Sequence, residues 1–214
     1  SFRTIFYNAK GIDNRRKPVS YVLTGSPILS VYGVTIPFFF VLSEHERNFR
    51  QPFNQFGMSP RYKWITLHAG YRNITYSPYT LGGHTILGTG VDINPGIFRL
   101  GFVYGRLNRA TAVDTTTGSF DPYTYTRRGY AGKIGIGKEN NFFDLSFIKG
   151  KDDSTSVAVS DELSRNVTPA ENVVFGFSTR LTLFKHFFFE GDGGLSLYTR
   201  DIGIVSVPES YPEI

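Results

Sequence analysis

Glu190 and Asp192 stand two residues apart in the stretch "FFFEGDGGLSLYTR". On an extended strand that spacing puts both carboxylates on one face, as the acid and base of a glycosidase require. The other face of the same stretch would carry Phe187, Phe189, Leu195 and Leu197. The carboxylates therefore belong to the wet side of a strand whose dry side is large and apolar. Arg99, Lys133 and Arg180, at equivalent places on neighbouring strands, are expected to balance them, which makes the cluster electrostatic rather than catalytic.

Other chemistry is thin. The chain has 4 His, at positions 46, 68, 84 and 186, and none has the i, i+4 helical spacing of a zinc site. His68 and His84 can share a face, but the sequence names no third ligand. "GFSTR" around Ser178 lacks the second glycine of a nucleophile elbow. The glycine pairs in "GTGVD" and "GIGKEN" do not lead into a helix, so neither reads as a phosphate loop. "KGKDDSTS" offers Asp152 and Asp153 as calcium ligands, but reads first as a solvated loop. No catalytic residue, metal or cofactor is expected, and the chain is read as not an enzyme.

The elements that position these residues follow from composition and period. Aromatic residues make up 16% of the chain, with 20 Phe and 13 Tyr beside 23 Gly and no Cys. That bias departs from the Leu, Ile and Val core of an ordinary soluble domain. A net charge of +5 raises nucleic acid as a partner, but "NRRK" and "TRRG" are short and isolated, so none is expected. The longest apolar run, "VTIPFFFVL", is too short for a membrane-crossing helix and contains a proline.

Alternation of period two is found almost everywhere. Phe98, Leu100, Phe102 and Tyr104 oppose Arg99, Gly101, Val103 and Gly105; similar patterns run through 61–72, 85–93, 143–149, 173–183 and 187–199. One face is aromatic and large, the other Gly, Ser and Thr with isolated charges. A soluble sandwich would instead carry Lys, Glu and Thr densely on its outer face. The pattern predicts an all-β fold, an antiparallel transmembrane β-barrel of the outer-membrane type, with about ten strands of roughly 9–11 residues. Its lumen would be faced by His68, Arg72, Arg99, Lys133, Arg180, Glu190 and Asp192.

Tight turns are expected at "YGVT", "INPGI", "KENN" and "LFKHF", with long connections at 108–125 and 151–172. Counting crossings from the N-terminus and back from "NPG" sends the 61–72 strand in opposite directions. One extra crossing, or one stretch that does not cross, must lie between Phe49 and His84. The expected place is 73–84, as a strand broken at Pro78 or as a segment folded into the lumen. Residues 1–214 are read as a single barrel segment, the first part of a longer barrel, with 49–83 a loop or lumen-folded insertion. Phe53, Phe56, Tyr76, Pro78 and Tyr79 are its candidate partner-binding or plug residues.

The stretch "QPFNQFGMSPRYKWITLHAGYRNITYSPYTLGGHTILGTGVDINPG", with "FYNAKGIDNRRKPVSYVLTG", "FRLGFVYGRLNRA" and "NVTPAENVVFGFSTR", resembles large outer-membrane β-barrel proteins of Bacteroidota. The resemblance implies a place in the outer membrane of a Gram-negative bacterium and contact with its lipids. It carries no catalytic signature. Two functions are expected from the chain as a whole. The first is a structural or accessory subunit of a larger outer-membrane assembly for protein insertion, secretion or surface export, with outer-membrane or lipoprotein subunits as partners. The second is a stand-alone porin or transporter with a mildly anion-preferring lumen.

Overall fold

The computed structural model describes residues 1–8, 10, 18–44, 52–111, 124–139, 141–157, 167–184 and 186–202. Those residues form one 13-stranded antiparallel sheet, and no helix is found among them. The strands are β1 (Phe2–Phe6), β2 (Val19–Gly25), β3 (Ile28–Val31), β4 (Val34–Ser43), β5 (Gln55–Met58), β6 (Arg61–Tyr62) and β7 (Ile65–Asn73). They continue as β8 (Thr85–Ile93), β9 (Phe98–Asn108), β10 (Thr126–Lys138), β11 (Asn141–Asp153), β12 (Glu171–Leu183) and β13 (Phe187–Thr199). Each crossing pairs with the one before it, in the order β1-β2-β4-β5-β7 and then β8 to β13 in succession. Among the described residues β1 and β13 each pair on one side only.

Two pairs of short strands are halves of longer ones. β2 and β3 pair with β4 in one continuous register, Gly25 opposite Phe40 and Ile28 opposite Pro37. β5 and β6 do the same on its other edge, Met58 opposite Phe38 and Arg61 opposite Thr35. Both breaks fall at a Ser-Pro pair, 26–27 and 59–60, because proline brings no N–H to the ladder. Its carbonyl still serves: Pro27 accepts from Phe38 N and Pro60 from Leu67 N, each at 2.9 Å.

This corrects the expected 61–72 strand. The chain turns back at Lys63–Trp64, with Lys63 in the left-handed region (φ 50°), so Gln55–Tyr62 is the extra crossing. It lies before the place the sequence suggested. Trp64 belongs to this turn and not to a strand face. With that crossing in place, tight turns at 32–33, 63–64 and 94–97 share one rim. The longer connections after β4, β7, β9 and β11 share the other.

Residues 74–84 are the stretch that does not cross. The chain leaves the ladder at Asn73 and re-enters directly opposite, at Thr85. Between them it folds over one face of the sheet, as a folded-in segment rather than a broken strand. We call that side of the sheet the covered face and the other the open face. Ile74, Tyr76 and Leu81 from the segment pack with Ile86, Val103 and Ala131 from the sheet to make a small core, with Leu107 and Ile148 at its edge.

Candidate functional site

The segment 74–84 holds its shape by short-range bonds. Tyr76 N donates to Leu81 O at 2.9 Å, closing the loop, and Ser77 Oγ accepts from the backbone of Tyr79 and Thr80, each at 3.2 Å. Serine before proline favours such a side-chain-capped turn. The floor beneath is made of glycines. A Cβ at Gly101 would lie 2.7 Å from Tyr76 Oη, one at Gly176 2.7 Å from Thr80 Cγ2, and one at Gly194 2.7 Å from Tyr79 Cβ. Thr80 Oγ1 also meets Ser146 Oγ of β11 at 3.0 Å. The segment thus lies across β9 to β13, its closest approaches falling over glycines and its apolar side chains packing on Val103 and Ala131.

A chain of polar groups ties its other side. Ser59 Oγ is 2.8 Å from His68 Nδ1, and His68 Nε2 is 3.0 Å from Asp92 Oδ2. The carboxylate fixes the tautomer: Nε2–H donates to Asp92, and Nδ1 accepts the Ser59 hydroxyl. Tyr76 Oη donates to the other Asp92 oxygen at 3.5 Å, and Lys133 Nζ stands 5.1 Å above the Tyr76 ring. Burial, with Asp92 beside it, raises the Tyr76 phenol above its ordinary value, so it remains a donor.

Serine, histidine and aspartate in sequence suggest a hydrolytic triad. Ser59, however, is 4% exposed, and a substrate must reach the hydroxyl before attack. The arrangement works instead as a clasp. It joins the Ser-Pro break between β5 and β6 to β7, β8 and the overlying segment.

The residues expected to share a wet face do share the covered one. His68 and Lys133 meet the clasp and the segment there, Arg99 and Arg180 reach carboxylates, and Arg72 is opposite Ile86 of the covered face. The ion pairs differ from expectation. Of the cations proposed for Glu190 and Asp192, only Arg180 reaches one, Glu190 at 2.7 Å. Asp192 instead accepts a short hydrogen bond from Ser178 Oγ. Arg99 binds Asp144 through two parallel bonds of 2.8 and 2.9 Å, and Asp144 is almost wholly buried. Arg127 holds Asp152 in the same way, at 2.7 and 2.8 Å, and Asp152 also accepts from Ala170 N. Asp152 is therefore a strand residue already neutralised, not a loop ligand. Asp153 is occupied by Thr155, whose N and Oγ1 donate at 3.1 and 2.7 Å. Both corrections follow from β11 running on to Asp153, beyond the 143–149 stretch in which alternation was legible.

Of the five partner or plug candidates, Tyr76, Pro78 and Tyr79 lie in the segment, Tyr76 buried and the others exposed. Phe53 and Phe56 do not: Phe53 precedes β5, and Phe56 is a β5 strand residue opposite Phe40. His84 lines a cavity of about 220 Å³ between the segment and β9 to β12, with Tyr79, Thr80, Arg127 and Asn172.

The open face is organised by register. Leu67, Val91, Phe102, Gly132, Phe147, Phe175 and Leu195 lie side by side across seven strands. The next row, Ile65, Ile93, Leu100, Ile134, Leu145, Phe177 and Gly193, is equally apolar. These side chains stand in the open, with Phe102 at 48%, Phe175 at 52% and Leu195 at 64% exposure. Toward the rim of long connections the row containing Tyr104 and Tyr130 comes next, and beyond it Arg106, Arg128, Lys151 and Glu171. Compared with known proteins, the chain matches no family model, and no curated protein or solved structure is significantly similar to it.

Proposed function

We propose that this sheet is wall from a transmembrane β-barrel of the outer membrane, with its open face against lipid and its covered face inside. The observation that carries the reading is the pair of apolar rows across β7 to β13. A water-soluble monomer rarely exposes an apolar patch larger than a few hundred Å². Charge supports it: the bidentate pairs Arg99–Asp144 and Arg127–Asp152 sit on the opposite face. Length supports it as well. Strands of 13 residues, such as β10 to β13, extend about 40 Å, or roughly 30 Å when tilted as barrel strands are.

Segment 74–84 is then a built-in plug resting on the inner wall, and the barrel serves as a structural or accessory subunit of a larger outer-membrane assembly. A wall whose inner face is partly covered by its own chain suits a scaffold better than a channel. The second reading, an anion-preferring porin, is favoured by the cations Arg72, Arg99, Lys133 and Arg180 on the inner face. The test uses the full-length protein, tagged and extracted from carbonate-washed outer membranes in mild detergent. Retention in the washed membranes with stoichiometric partner subunits supports the scaffold. A lone protein giving a wide, anion-selective conductance in planar bilayers overturns it in favour of the porin. Loss to the carbonate wash overturns both.

A further inference from the structure

We infer that the open face carries a binding site for a phosphate-bearing lipid between β9 and β12, an inference that rests on the proposed membrane location. Two independent features of the surface meet there. The first is a cationic row. Arg106, Arg128 and Lys151 are neighbours in the ladders, and Lys149 is opposite Tyr130 one row nearer the apolar band. Two carboxylates, Glu171 and Asp153, face these four cations and leave an excess of positive charge. Glu171 lies 2.6 Å from Lys149 Nζ but 3.9 Å from Lys151 Nζ, and Asp153 accepts from Thr155 while its charge also acts on Arg128. Arg106 is partly used by Tyr71 Oη, at 3.0 Å. Arg128 and Lys151, side by side, are the two exposed cations of the four and the best placed to meet a ligand from outside. An oxyanion carrying two charges matches them, and phosphate accepts from both a guanidinium fork and an ammonium.

The second feature is a dent of about 250 Å³ in the apolar band, where Gly132 interrupts a row of large side chains. Phe102, Ile134, Leu145, Phe147 and Phe175 wall it. Gly132 lies four residues along β10 from Arg128, roughly 13 Å. Tyr130 stands between them, edge-on to Phe147 with ring centroids 6.0 Å apart. One molecule with a phosphorylated headgroup and an acyl chain spans both features. A second copy of this chain would bring its own cations against these, and a neutral lipid would leave them unmatched.

The experiment titrates the full-length protein in a neutral maltoside detergent at low salt. The probes are dimyristoyl phosphatidic acid, dimyristoyl glycerol and inorganic phosphate, and the thermal midpoint is read. Phosphatidic acid is expected to raise the midpoint saturably, while equal concentrations of the other two do not. The double variant Arg128→Gln/Lys151→Gln is expected to weaken the apparent affinity about tenfold or more. Glu171→Gln, which removes the competing carboxylate, is expected to strengthen it. Gly132→Leu, whose Cβ would overlap Phe147 Cε1 and so must displace that ring from the wall of the dent, is expected to weaken it with the cations intact. An equal response to dimyristoyl glycerol, or to inorganic phosphate, overturns the two-part site. So does an affinity unmoved by both the double variant and Glu171→Gln. Protein that stays in carbonate-washed membranes while failing these tests loses the site but keeps the membrane reading. Protein that washes out loses the membrane reading itself.

Discussion

Asp144 and Glu190 each pair with one arginine on the same face, yet they should behave differently when removed. Asp144 is buried with a two-bond partner, whereas the side chains of Arg180 and Glu190 are 36% and 46% exposed. Asp144→Ala strands Arg99 on the covered face and should cost about 3 kcal/mol. Glu190→Gln should cost less than about 1 kcal/mol, since an exposed pair is screened by solvent. Urea unfolding of the two variants in the same micelles checks the contrast, and equal losses would contradict it. The sequence pointed to Glu190 because it stands out beside Asp192; Asp144, in "NFFDLSF", is a single acid among apolar neighbours with nothing beside it to draw attention. Its importance comes from the register that sets β9 and β11 on either side of β10, which no local pattern records. Ser59 is the other residue visible only in three dimensions. As part of a buried clasp it should stay unlabelled when the folded protein meets a fluorophosphonate probe. A Ser59 adduct found by mass spectrometry would restore the hydrolytic reading.

Among the elements, the long strands were legible because each keeps its period for nine residues or more, as β8 and β13 do with the bounds the alternation suggested. The reversal at Lys63–Trp64 was not. Its tip holds neither glycine nor asparagine, the usual marks of a two-residue hairpin, and Lys63 adopts the left-handed conformation itself. The remaining signal was a phase slip, since Trp64 and Ile65 are successive large apolar residues where alternation demands one of each kind. The segment 74–84 was only half legible for a related reason. Ser77, Pro78 and Gly82–Gly83 mark an irregular stretch, but the glycines that receive it are scattered over β9, β12 and β13. This dependence makes the element testable. Gly101→Val would place a branched side chain where Tyr76 Oη and Asp92 Oδ1 already lie, so it should lift the segment. Because the chain has no cysteine of its own, Leu81→Cys, at a position 0% exposed, gives a local reporter. Alone it should resist a maleimide reagent; combined with Gly101→Val it should react at least about tenfold faster, as the opening free energy falls by more than about 1.4 kcal/mol. Equal rates would mean that the segment is not held by the glycine floor.

On the scale of the whole molecule, the two faces of one sheet ask for two different surroundings, and the single tryptophan reports on one of them. The chain contains 1 Trp, Trp64, which is 47% exposed on the rim of tight turns, next to the Ile65 row. Indole is at home where apolar chains give way to headgroups, its ring in the one and its N–H in the other. If the open face is against lipid, Trp64 lies at that boundary, at the end of the wall opposite the cationic row of Arg128 and Lys151. In vesicles it should then be quenched by brominated lipids, and more strongly by bromines near the headgroup than by those at chain ends. A soluble sandwich, in which a second layer covers the open face, predicts no quenching at any depth. Quenching greatest at the chain ends would keep the protein in the bilayer but move the tight-turn rim away from the interface. That result would displace the cationic row from the opposite headgroup level, so this one reporter tests the placement of both borders.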